Sequence, residues 1–422
     1  MHMKTYSICL LIAVSSATAA RGTTIAVFEP IPDALSANDM SSDGRYVVGQ
    51  TDFDQDYFPD GTYHYDTHTG VMTILPPEAT DAAAVSDDGT VVLGTIVDPE
   101  SPDPALGETA ALWTAETGWQ SLGYLPNAGE CPSRSNGYEL SGDGSVAVGL
   151  SWDGCFGRGF RWTAATGMQQ LEVLALDRNR ASVCSADGNL IGGFAQGNQA
   201  RTPTFWTGDL QGETLDPVYD ARGEVFGIND AGTIMLGTYG TNTDPTDRAA
   251  KWTLGESGWQ RETIGAGSLG PAILWRGIPM DITDDGTIVG FDTYLGNRIA
   301  WIIPQGMPPY LNFKTYVQSL GATVPIGWTL DVCQAISTSG RRIIGHGGAA
   351  RAWTVTIDLL GDMNCDGAVD VDDIEPFTQA LIDVPAYDTA FPACWSGRAD
   401  MNQDDSIDGL DVGDFVSDLL GS

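Results

Sequence analysis

Oxygen-bearing side chains recur at fixed spacing near the end of this 422-residue chain. Asp362, Asn364, Asp366, Asp370 and Asp373 stand at positions 1, 3, 5, 9 and 12 of one loop. Asp400, Asn402, Asp404, Asp408 and Asp411 repeat the pattern at an offset of 38. Ala368 and Ser406 fall at position 7, where a backbone carbonyl can face inward. Hard oxygens at these positions suit calcium, which takes about 6–8 of them at about 2.3–2.6 Å. Two calcium ions are therefore expected. Gly367 at position 6 permits the sharp turn, whereas loop two carries Asp405 there. An Asp in the left-handed region costs on the order of 1 kcal/mol, so the second site is expected to be the weaker.

The same offset relates the apolar residues that follow: Ile374 with Val412, Phe377 with Phe415, Leu381 with Leu419. Their three- and four-residue spacing predicts helices over Asp373–Ile382 and Asp411–Leu420. Pro376 sits in the first turn, where its missing N–H costs little. Val369 and Ile407 at position 8 can form an apolar bridge between the loops. Thr354–Leu360 reads as strand, so each loop has only an exiting helix. The 15 acidic residues of 361–422 face one Arg, and binding is expected to be coupled to folding.

A calcium loop with one helix, duplicated, resembles a type I dockerin, and the resemblance covers all of 361–422. It implies docking onto a cohesin-like protein, a scaffold or the cell surface. In cellulosomal dockerins recognition lies at loop positions 10 and 11. Here these are Val371 and Asp372, then Gly409 and Leu410, without the usual hydroxyl pair. That departure leaves the partner open; a calcium-stiffened stalk or cap is the other reading.

Upstream, one unit recurs seven times. Its first half reads SSDGRYVVG from Ser41, SDDGTVVLG from Ser86 and SGDGSVAVG from Ser141, with weaker copies from Ser185, Asn229, Thr283 and Ser337. The turn glycines, Gly44, Gly89, Gly144, Gly188, Gly232, Gly286 and Gly340, lie 44 to 55 residues apart. The second half carries Tyr65, Trp113, Trp162, Trp206, Trp252, Trp301 or Trp353. Asp-Gly between apolar runs makes a tight hairpin, because glycine accepts positive φ. The β-branched triplets read as buried strands, and the aromatic fills space between sheets. A four-stranded sheet of this kind cannot cover both its faces, so copies must stack.

The period predicts a mainly β chain: a seven-bladed β-propeller over 21–358, followed by the small helical module at 361–422. Ile25–Phe28 is expected to close the ring as the outer strand of the last blade. An open β-solenoid is the alternative. The pattern resembles the extracellular HAF repeat family over roughly Ala37–Val355, through A-x-x-x-S-x-D-G-x-x-V-V-G and the later A-x-x-W-T. The resemblance implies a fold and an exported location, and carries no established catalytic residues.

Lys4, the apolar run Ile8–Val14 and the small residues to Ala20 read as a cleaved signal peptide over residues 1–20, ending at Ala19 or Ala20. No later segment is long enough to span a bilayer. Export permits disulfides. Six cysteines remain after cleavage, and 15 connectivities are open. Cys131 with Cys155 and Cys365 with Cys394 are preferred, leaving Cys184 and Cys333 as buried thiols. The net charge of −36 argues against nucleic acid and anionic membranes. A secreted or surface-bound monomer is expected.

Other constellations are weaker. Asp52, Asp54, Asp56 and Asp60 could hold a third calcium but read as a solvated loop. His64 and His68 lie in strand and turn, where four-residue spacing does not converge on a metal. The Ser-x-Asp-Gly units lack the spacing of sialidase Asp-boxes and are expected to satisfy turn backbone. No nucleophile elbow, P-loop or dinucleotide fingerprint occurs. The first reading is a non-catalytic binding or display propeller attached through its tail, with a carbohydrate as a candidate ligand. The second is a secreted glycoside hydrolase of polysaccharide degradation, because dockerins often accompany such enzymes. Two acidic residues converging on the central channel would favour the second.

Overall fold

The structure is a computed structural model describing residues 22–53, 59–98, 107–126, 131–153, 155–197, 200–215, 221–241, 248–264, 276–294, 297–306, 310–348, 351–391, 394–404 and 406–420. The chain divides into two compact units. One is Ala26–Ile357; the other joins Asp358–Ser422 with the residues up to Ile25. The expected leader, residues 1–20, lies outside the described residues, as do Asp54, Asp56 and Asp405.

Seven four-stranded sheets follow one another along the chain. In the first, strands run outward in sequence order: Asp39–Met40, Tyr46–Thr51, Gly61–Asp66 and Val71–Ile74. The second and third strands of one sheet pack on the inner strand of the next, and the seventh inner strand meets the first. This is a seven-bladed β-propeller, and no solenoid forms. The seventh blade consists of Val332–Ile336, Arg342–Gly347, Arg351–Leu359 and, outermost, Thr24–Pro30. The ring is thus closed by the expected segment, with Ile31 N–H donating to Ala352 O at 3.1 Å.

The seven turn glycines all have positive φ, from 65° at Gly188 and Gly232 to 95° at Gly286. The residues before them occupy the backbone groups of the turn. Ser41 Oγ donates to Asp43 Oδ1 at 2.7 Å and accepts from Tyr46 N–H at 2.9 Å. Asp43 Oδ1 also accepts from Arg45 N–H at 2.8 Å. The arrangement recurs at Ser86, Ser141 and Ser185.

A second glycine in each blade has a different cause. A Cβ on Gly49 would lie 2.1 Å from the Ser36 carbonyl. The same close approach pairs Gly149 with Asn136 O, Gly237 with Glu224 O and Gly345 with Val332 O. Beside it the inner strand carries a β-bulge, as at Gly137/Glu139, Ala181/Val183 and Cys333/Ala335. The skipped residues, among them Tyr138, Ser182 and Gln334, line the central channel. Glycine therefore lets the bulge seat itself, and in the bulged blades the skipped residue is aimed inward.

The repeated aromatic lies on the third strand of every blade. Trp206, Trp252, Trp301 and Trp353 are fully buried. One helix escaped the strand-based reading: Phe313–Ser319 follows the two-residue outer strand of blade six. Asn312 Oδ1 caps it by accepting from Thr315 N–H at 2.9 Å. Phe313 stacks on Trp353, with ring centres 5.4 Å apart.

In the second unit, helices span Ile374–Ile382, Val384–Ala390 and Val412–Leu420. The first and third match the expected pair; the middle one forms in what read as a spacer. Phe377 and Phe415, related by the offset of 38, stack at 3.9 Å. Around them pack Leu360, Met363, Val369, Tyr387 and Met401. The start of the closing strand also contributes to this unit: Leu360 N–H donates to Thr23 O, and Ile25 packs on the same cluster. Disulfides join Cys131 to Cys155 and Cys365 to Cys394, while Cys184 and Cys333 are buried thiols.

Candidate functional site

The two acidic loops adopt the same internal hydrogen bonds. Asp366 N–H donates to Asp362 Oδ1 at 3.1 Å and to Asn364 Oδ1 at 2.9 Å. Asp404 N–H donates to Asp400 Oδ1 and Asn402 Oδ1, both at 3.0 Å. Ala368 N–H reaches Asp366 Oδ1 at 3.0 Å, and Ser406 N–H reaches Asp404 Oδ1 at 3.1 Å. Asp370 N–H donates to Asp373 Oδ2 and Asp408 N–H to Asp411 Oδ2, each at 2.9 Å. Each of these bonds thus recurs at the matching positions of the two loops.

Position 4 holds an element that the residue pattern did not suggest. Cys365 and Gln403 both take left-handed backbone, at φ 64° and 58°. Gly367 at position 6 has φ 91°. Asp362, Asp373 and Asp411 are fully buried. Burial raises the Asp373 carboxyl above its ordinary range, with Asp362 adding like-charge repulsion and loop N–H groups opposing. The buried cation beside them is Arg398, whose Nη1 lies 3.8 Å from Asp362 Oδ2. Among the described residues, no three His, Cys, Asp or Glu side chains stand together as a metal-ligand group.

In the propeller, the inner strands enclose a channel with a cavity of about 490 Å³. Asp39, Glu139 and Asp281 line it, each two residues before the turn Ser or Thr of its blade. Asp39 Oδ2 accepts from Val85 N–H of the next blade at 2.8 Å, and Asp281 Oδ2 likewise from Ile336 N–H at 2.8 Å. Burial pushes Asp39 and Asp281 up to about 7, each opposed by these N–H groups and reinforced by like charges. Glu139 is raised well above its ordinary value by burial and then by Asp39. Asp81 rises to about 6 for the same first reason, with Asn38 opposing. Carboxyl groups that titrate near neutrality can move protons at physiological pH. Aligning the seven copies reveals the signal: this position is acidic in copies one, three and six, and Ala84, Val183, Gly227 or Ala335 elsewhere.

The histidines do not meet at a site. His64 lies on a strand with its ring 5.1 Å from Tyr46 and 6.4 Å from Trp113, and His68 is in the following turn. Of the Asp52–Asp60 loop, the described ends show Asp52 buried and Asp60 Oδ2 accepting from Phe53 N–H at 2.6 Å. No helix among the described residues is long and apolar enough to cross a membrane.

No protein-family model and no curated protein matches the chain. Among solved structures it is similar to an oligogalacturonate lyase from Vibrio parahaemolyticus, at TM-score 0.51 and 12% identity over 80% of this chain and 98% of that one. An oligogalacturonate lyase in complex with manganese gives TM-score 0.50 and 13% identity over 80% and 98%. TolB from Acinetobacter baumannii gives 0.39 and 12% over 74% and 80%. At these identities the likeness is one of fold alone.

Proposed function

We propose that this is an exported, non-catalytic β-propeller that binds or displays a ligand and is attached through a dockerin-like tail holding two calcium ions. The observation that carries the reading is the bond-for-bond repetition of the two acidic loops. Asp362, Asn364, Asp366, Asp370, Asp373 and the Ala368 carbonyl would hold one ion. Asp400, Asn402, Asp404, Asp408, Asp411 and the Ser406 carbonyl would hold the other. The donor set suits a hard cation, and fully buried carboxylates such as Asp362, Asp373 and Asp411 gain most from one. Calcium would neutralise these charges and stabilise the folded tail by mass action. A cohesin-like protein or a surface scaffold is the partner this reading implies.

The test is calorimetric titration of chelator-stripped full-length protein with calcium, followed by calcium-dependent capture from secreted and envelope fractions. Two sites and capture of a cohesin-like protein are expected. Absence of calcium binding would remove the tail reading.

A second reading is favoured by one observation: Asp39, Glu139 and Asp281 share the channel, burial raising Asp39 and Asp281 to about 7 and Glu139 well above its ordinary value. A secreted glycoside hydrolase needs a protonated carboxyl beside an ionised one. Activity on a polysaccharide panel that is abolished by Asp39→Asn or Glu139→Gln would establish this reading over the first.

A further inference from the structure

A second cavity, of about 470 Å³, lies between blades four and five and shares Phe226 with the channel wall. Its lining includes Gln196, Arg201, Arg222, Glu224, Thr238 and Ile278. Its charge runs against that of the chain, which has 56 acidic and 20 basic residues. Among its described lining residues two guanidinium groups stand against one carboxylate, and that carboxylate is already engaged.

Glu224 is buried, and both its oxygens are taken. Oε1 meets Arg180 Nη2 and accepts from Ser182 Oγ at 2.6 Å; Oε2 accepts from Arg201 Nη1 at 2.8 Å. It therefore serves to fix arginines rather than to repel an anion. Arg201 also lies over the Phe194 ring, 4.3 Å from its centre. Held at one edge and one face, its guanidinium is pre-organised, which lowers the entropic cost of binding.

Arg222 is placed by backbone. It pairs with Gly240, donating at 2.9 Å and accepting at 2.7 Å. The adjacent Gly223 sits so close to Thr238 O that a Cβ would lie 1.9 Å from it. Among the described residues the Arg222 guanidinium has no ion-pair partner. A charge held in a cavity wall without an ion-pair partner points to a ligand.

We propose that this cavity binds a small carboxylic acid of about sugar-ring size. Its carboxylate is held by Arg201 and Arg222, and its ring packs on Phe226 and Ile278. Guanidinium forks match carboxylate geometry, and an apolar wall with few polar groups is the usual form of a small-ligand site. The site goes beyond the attachment role of the tail and does not depend on calcium.

The test is calorimetric titration of the full chain at low salt with D-glucuronate, benzoate and D-glucose. Saturable binding of at least one acid and none of glucose is expected. Arg222→Ala should weaken that binding at least about tenfold, and Arg222→Lys should restore part of it. Arg201→Ala should also weaken it, but Arg222→Ala carries the test because no ion pair among the described residues is removed. Failure of both acids, equal binding of glucose, or an Arg222→Ala variant that binds like the parent would each overturn the proposal.

Discussion

Arg398 Nε donates to Asp358 Oδ1 at 2.8 Å, with both side chains almost wholly buried. The same guanidinium donates from Nη1 to Asp362 O at 2.9 Å and contacts Cys365 Sγ. One side chain thus ties the strand entering the tail to the start of the first acidic loop. Removing it leaves Asp358 and Asp362 buried without their cation. Arg398→Ala is expected to destabilise the tail by about 3–5 kcal/mol. Hydrogen exchange across 358–420 measures this, and unchanged protection would show that the pair contributes nothing.

The paired loops predict separable metal sites. Asp373→Asn should abolish the first calcium site and leave the second, and Asp411→Asn the reverse. Each variant then titrates with one ion in place of two. Chelator should lower the melting temperature of the parent tail more than that of either variant.

The blade glycine makes a steric prediction. Gly149→Ala places a methyl 2.1 Å from Asn136 O. Thermal unfolding should show a loss of about 1–3 kcal/mol, the usual range for overpacking. Gly255→Ala, where the nearest atom is 3.8 Å away, should stay within about 0.5 kcal/mol of the parent.

The channel acids predict a pH dependence. Asp39 and Asp281 are raised to about 7 in the folded chain and titrate near 4 when unfolded. Between those values the folded protein holds protons that the unfolded chain releases. Their contribution is therefore fully present below about pH 4 and is lost as pH rises through about 7. Because these side chains line the channel and are only half-buried, each is assigned on the order of 1 kcal/mol. Asp39→Asn and Asp281→Asn should melt higher than the parent at about pH 8 and alike at about pH 4. Parallel melting curves across that range would contradict the burial of these carboxyls.

Much of the architecture is legible because it rests on local rules applied seven times. Gly44 must take positive φ whatever surrounds it, so Ser-x-Asp-Gly announces its turn. Trp206 and Trp353 announce their strand because a large ring needs a face to cover. Gly149 was legible as a recurring residue but not as a cause, since its constraint is a carbonyl on another strand. The same holds for Asp39, Glu139 and Asp281, whose significance depends on the inner strands of different blades meeting at one channel. The helix at 384–390 was missed because its capping residue, Asp383, looks like one more acid in an acidic segment. Cys365 read as a disulfide partner, and its left-handed backbone follows from the loop closing around it.

The strand Thr24–Pro30 lies beside Arg351–Leu359 in the finished ring. For a chain emerging N-terminus first, this sets a schedule. The earliest strand waits, unpaired at one edge, while six blades are synthesised behind it. The seventh blade is therefore completed last, and its edge strand is made before every other strand of the propeller. Any process that delays residue 351 prolongs the life of an open ring with two exposed sheet edges.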